Sequence, residues 1–324
     1  MTGVLDATLT DAPGWLTVAA AVLTQAGDPW FLFLLATLGY WLAPPVTAEP
    51  RRVGAALVAV GLGALAVALG AKAVVAVPRP PGAATATVPG WLPPPLASVV
   101  RSAASDTGYG FPSGHAVGAA AVYGALAAFL DVGTRRRRWL AAGGIVAVVA
   151  ATRVLLGLHT VGDVLGGVAI GAATLWLLVR AGRPGLRPRP DRVFFLAALL
   201  ALVAVVAGVF VGGVGSDGRT TVGAAVAFGG GLGGYAVWRA RGTEPEPVGP
   251  LAALAGLVVV GTPFAYAGVV VTSGLPVVFG VFPDTVPLRA VVGAASAGVS
   301  VALVVAWPTL VRWGREEWRA VRAG

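Results

Sequence analysis

Cysteine is absent from the 324 residues, which excludes disulfides, thiolate metal ligands and thiol nucleophiles. Charge is also scarce. Charged residues make up 11% of the chain, where soluble domains carry roughly 25%, so the composition excludes an ordinary water-soluble domain. Histidine occurs only twice, as His115 and His159. No basic region precedes an apolar core at the N-terminus, so no cleavable signal peptide is expected. What fills the chain is apolar: 57% of residues are hydrophobic and the mean hydropathy is +0.84.

The formal net charge is +9, yet the basic residues lie in short blocks between apolar segments. That pattern suits membrane orientation and makes nucleic acid an unsuitable partner. A helical span needs roughly 17–25 apolar residues. Nine stretches meet or approach this length, near 28–44, 53–72, 113–131, 139–157, 160–180, 193–213, 220–238, 249–272 and 287–308. The expected fold is therefore an all-α polytopic integral membrane bundle with about nine transmembrane helices. The shorter piece Trp15–Leu23 is expected to lie along the interface.

Seventeen of the 23 basic residues fall in alternate loops, among them the run Arg135–Arg138. Lys72, Arg79, Arg101, Arg219 and Arg289 belong to the opposite set, and Arg153 lies within a span. The positive-inside rule then puts the N-terminus outside and the C-terminus inside a cell membrane. Arg135–Arg138 reads as an anchor. The Pro- and Arg-rich stretch Arg180–Arg192 reads as a linker. It separates residues 1–192, an interfacial segment plus five spans, from residues 193–324, a four-span extension with no assigned role. The glycines of Gly229–Gly234 are expected to let helices approach closely, not to cradle phosphate.

Ionisable groups at membrane depth are costly, and here they cluster. Lys72 ends the second span, and Arg79 stands between Pro78 and Pro80. Pro112-Ser113-Gly114-His115 opens the third span, Thr152-Arg153 closes the fourth, and His159 and Asp163 open the fifth. Alternation of loops brings all of them to one side, expected to be the non-cytoplasmic one. Three cations, Lys72, Arg79 and Arg153, suit an anion with several oxygens, such as phosphate. Ser113 suits an N-cap, Gly114 permits close backbone approach, and the amides of a helix N-terminus favour the same ligand. His159 and Asp163 are four apart, so the carboxylate is expected to orient the imidazole on a shared helical face. Two histidines then divide the chemistry, one attacking phosphorus and the other protonating the leaving oxygen. The region offers too few carboxylates for a two-metal cage, so neither a metal nor another cofactor is expected.

The set Lys72-x6-Arg79-Pro80, Pro112-Ser113-Gly114-His115 and Thr152-Arg153-x5-His159-x3-Asp163 resembles a known three-part signature in order and spacing. It is that of the type-2 phosphatidic acid phosphatase and vanadium haloperoxidase superfamily. Thr152 stands where that signature usually has Ser, and the hydroxyl is kept. The resemblance implies phosphate binding by Lys72, Arg79 and Arg153, with Ser113 and Gly114 assisting. It also implies His159 as nucleophile through a phosphohistidine, Asp163 as its partner and His115 as general acid. The number of spans, the outward N-terminus and the stretch Asp106–Ala116 are similar to the glucose-6-phosphatase branch.

The leading expectation is a membrane phosphatase that hydrolyses a lipid phosphate or polyprenyl diphosphate at the outer surface. Its partners would be that substrate and the membrane lipids. A sugar-phosphate phosphatase, a lipid head-group phosphotransferase and a non-enzymatic anion transporter are the alternatives. Against transport, residues 193–308 have no charged positions that mirror those of the first half.

Overall fold

Proline sets the start of five helices, at Pro29, Pro50, Pro94, Pro190 and Pro250. Its fixed φ suits the first helical turn, where the missing N–H costs nothing. The computed structural model describes residues 13–182, 188–211, 218–241, 247–273 and 285–323. Eleven α-helices lie among these residues. They are α1 (Gly14–Leu23), α2 (Pro29–Leu42), α3 (Pro50–Val75), α4 (Pro94–Ala104), α5 (Gly114–Phe129) and α6 (Arg135–Leu155), followed by α7 (Val161–Gly182), α8 (Pro190–Phe210), α9 (Arg219–Arg241), α10 (Pro250–Ser273) and α11 (Val286–Ala323).

Each of the nine apolar stretches falls on a helix, but among the described residues only six helices are long and apolar enough to cross a membrane. These are α3, α6, α7, α8, α10 and α11; a seventh is counted if α1 and α2, bent by 48° at a short break, make one span. Length and composition therefore do not reach the expected nine. Helix α5 has only 16 residues, and α9 carries glycine where apolar bulk would raise its hydropathy. The Trp15–Leu23 piece is helical as α1, and it packs against α4 and α6. Residues 183–187 of the expected linker lie outside the described residues.

Helix α3 is the centre of the bundle. In its most apolar window 72% of residues are buried, because it contacts α2, α5 and α7 as well as α8 and α9. Helices α5 and α7 meet through small residues. A Cβ added at Gly171 would lie 2.4 Å from the Val117 carbonyl oxygen, and one at Gly167 would lie 2.8 Å from that of Ser113. Helices α9 and α11 approach in the same way at Gly229 and Gly233, opposite Ala294 and Gly298. Close backbone contact supplies the dispersion energy that water-driven burial does not supply in lipid.

Buried aromatic side chains then fix the second half to the first. Tyr40 donates its hydroxyl hydrogen to the Val305 carbonyl at 2.9 Å, and Trp41 Nε1 donates to that of Val304 at 2.8 Å. Trp307 Nε1 of α11 reaches the Ala252 carbonyl of α10 at 2.8 Å. Each such bond contributes about 1 kcal/mol net.

Candidate active site

The six ionisable residues singled out from the sequence, with Ser113, converge at one end of α3, α5, α6 and α7. Two loop segments hold the first cations. Pro78 and Tyr109 form an antiparallel bridge, and Gly110 N–H donates to the Val77 carbonyl at 2.7 Å. Lys72, one turn from the end of α3, donates its Nζ hydrogen to the Tyr109 carbonyl. Arg79 lies between the loop and the turn before α7: Nη1 donates to the Leu158 carbonyl at 2.9 Å and stands 3.0 Å from His159 Nε2.

The turn between α6 and α7 presents His159. Gly157 adopts φ +67 after the last helical turn, a left-handed conformation that glycine takes without a Cβ penalty. Leu158 N–H then bonds back to the Arg153 carbonyl at 3.1 Å. The expectation of a shared helical face for His159 and Asp163 is corrected here. His159 precedes α7, while Asp163 lies in its first turn. A capping exchange brings them together. Thr160 N–H donates to Asp163 Oδ2 at 2.8 Å, and Asp163 N–H donates to Thr160 Oγ1 at 3.2 Å. This satisfies two helix-end donors reciprocally. It leaves Asp163 Oδ2 3.6 Å from His159 Nδ1.

Arg153 is 2% exposed and His159 3%. Burial, followed by the positive charges of Arg79, Arg153 and Lys72, holds the His159 imidazole far below its ordinary value of 6.5. The ring is therefore neutral and keeps a lone pair for nucleophilic attack. Its Nε2 faces the Arg79 guanidinium, and its Nδ1 faces the carboxylate.

Ser113 occupies the N-cap position of α5, but its side chain makes no capping bond. Its Oγ is buried without a hydrogen-bond partner, as are Arg153 Nε and His159 Nδ1. Buried polar atoms are rarely left unpaired, and those that are call for an explanation such as an absent ligand. A Cβ placed on Gly114 would meet nothing within 4 Å, so there is open space beside the first turn of α5. His115 lies in that turn.

Two carboxylates in the cluster escaped the sequence reading. Asp106 accepts from Arg79 Nη2 and lies 3.5 Å from Arg153 Nη2, so it bridges two of the three cations. Asp28, the N-cap of α2, places Oδ2 3.6 Å from His115 Nε2. Asp28-Pro29 is a helix-start signal that the residues do carry. Asp106 has no such signal, because its partners stand 27 and 47 positions away in the chain.

The arrangement can hold a tetrahedral oxyanion among three cations, with an imidazole nitrogen on one side and a second imidazole nearby. Residues 52–185 of the chain match the PAP2 superfamily. A stretch of 79 residues is 37% identical to phosphatidylglycerophosphatase B of Bacillus subtilis (strain 168). That alignment covers 22% of this chain and 39% of the relative, so the likeness reaches well under half of either protein. No solved structure matches the chain. The match runs from the first turn of α3 to the end of α7 and contains the three cations and both histidines, so over these residues the chain is similar to the PAP2 superfamily.

Proposed function

We propose that the protein is a membrane-embedded phosphatase that hydrolyses a lipid phosphate or polyprenyl diphosphate through a phosphohistidine. The observation that carries this reading is the environment of His159. A buried, neutral imidazole has Nε2 3.0 Å from a phosphate-type cation and Nδ1 toward a carboxylate. Similarity to a phosphatidylglycerophosphatase supports a lipid substrate.

Lys72, Arg79 and Arg153 bind the phosphoryl oxygens and offset the charge that builds in the transition state. The lone pair of His159 Nε2 attacks the terminal phosphorus, and the bond from that phosphorus to the bridging oxygen breaks. His115 gives its proton to that oxygen as the alcohol, or from a diphosphate the polyprenyl monophosphate, leaves. A water molecule then adds to phosphorus, the P–N bond breaks, and His115 takes the water's proton as phosphate departs. Asp163 orients His159 throughout. The charge compensation is assigned to side chains, so activity persists in EDTA.

The wider reading follows the basic loops. About nine spans, counting α5, α9 and the bent pair, leave the N-terminus outside and the site on the non-cytoplasmic face. Residues 1–192 form the phosphatase core.

The test is phosphate release from lipid and sugar phosphates by purified protein. His159→Ala is expected to lower turnover by about a thousandfold or more, and to form none of the acid-labile phosphoenzyme that the wild type accumulates. Wild-type-like turnover in that variant would rule the reading out.

A further inference from the structure

The C-terminal extension lies outside the family match and contains neither histidine nor lysine. It nevertheless borders the catalytic cluster. A cavity of about 800 Å³ begins at Lys72, Arg79 and Asp106 and continues between α3, α9 and α10. Its far walls are apolar: Leu65 and Leu69 of α3, Val226 of α9, and Phe264 and Ala267 of α10. Arg219 and Thr220, at the start of α9, line it nearer the cations. Arg219 Nη1 donates to Thr107 Oγ1, which ties α9 to the loop that carries Asp106. Thr220 Oγ1 is buried and has no hydrogen-bond partner.

A phosphate group needs only a small part of this volume, whereas cavities of 300 to 1,000 Å³ hold whole organic ligands. The cavity is polar where it meets the phosphate site and apolar beyond it, which is the order of groups in a lipid phosphate. Small residues hold the walls in place. A Cβ on Gly223 would lie 2.8 Å from Leu69 Cδ1, so α9 sits directly on α3.

We infer that α9 and α10 form the specificity wall of the substrate site. The hydrocarbon chain of the substrate lies against Val226, Phe264 and Ala267, while its phosphate rests on Lys72 and Arg79. The Arg219–Thr220 corner meets the polar atoms that join the two. This assignment rests on the lipid phosphatase reading above. It gives the extension a part in substrate selection.

The experiment compares kcat/KM for long-chain and short-chain phosphatidic acids in mixed micelles, using the full-length protein. Wild type is expected to favour the long chain. Val226→Phe fills the chamber from α9 and is expected to lower the long-to-short ratio by about tenfold, as the loss of one or two methylene contacts does. Ala267→Val is a smaller filling from α10 and lowers it by a few-fold. A ratio near unity in wild type, or an unchanged ratio in the variants, overturns the inference and leaves the phosphatase reading standing. Absence of any phosphate-ester hydrolysis by wild type overturns both.

Discussion

His159 shows how one side chain would couple the proposed catalysis to acid sensitivity. Its imidazole is held neutral first by burial and then by Arg79, Arg153 and Lys72. In the unfolded chain it titrates near 6.5, so below that pH the unfolded state binds a proton that the fold does not. Stability therefore falls as pH drops through 6.5, by up to about 1.4 kcal/mol per pH unit from this residue. The thermal midpoint of detergent-solubilised protein should fall from pH 7 to pH 5, and the slope should shrink in His159→Ala. An equal slope in both proteins would mean that the imidazole is not held neutral. Lys72, Arg79, Ser113, His115, Arg153, His159 and Asp163 were all legible in the sequence because polar groups stand out in an apolar chain. Asp28 and Asp106 were not, because each finds its partner only when distant helices meet: His115 for Asp28, and Arg79 and Arg153 for Asp106.

At the scale of elements, the apolar stretches located the long helices, and their ends were less legible. Pro308 does not end α11, which continues to Ala323, because a single proline removes one hydrogen bond and the following Arg-, Glu- and Trp-rich turn remains a good helix former. Helix α4 is not legible in the sequence, since 11 residues that open on prolines carry no span-length signal. The glycine run of α9 behaves as its composition suggested. A Cβ on Gly229 would come within 1.9 Å of the Ala294 carbonyl oxygen, and one on Gly233 within 2.2 Å of that of Gly298. Gly229→Val should force α9 and α11 apart and destabilise the protein by about 1–3 kcal/mol. Gly261→Val, at a position where a Cβ meets nothing within 4 Å, serves as the control. Equal thermal midpoints for Gly229→Val and wild type would show that this contact does not hold the helices.

For the whole molecule, α3 joins the two halves, since α5 and α7 pack on it together with α8 and α9. The proposed orientation is tested in a chain that has no cysteine of its own. A cysteine at exposed Ser102 should react with an impermeant maleimide on intact cells. One at Val132, 45% exposed, should react only after lysis. The reverse pattern would place the site in the cytoplasm. The brevity of α5 has a further consequence. Its 16 residues rise about 24 Å, some 6 Å less than a hydrocarbon core of about 30 Å. Arg138 grips its far end through the Ala127 carbonyl at 3.0 Å, so in the proposed topology the shortfall would fall at the end that carries Ser113 and His115. Lipid phosphates would then have to sink below their neighbours to react, unless the bilayer thins around the protein. Membrane thickness would thereby become a control on rate: in proteoliposomes, turnover per enzyme should decline steadily as the acyl chains of the host lipid lengthen.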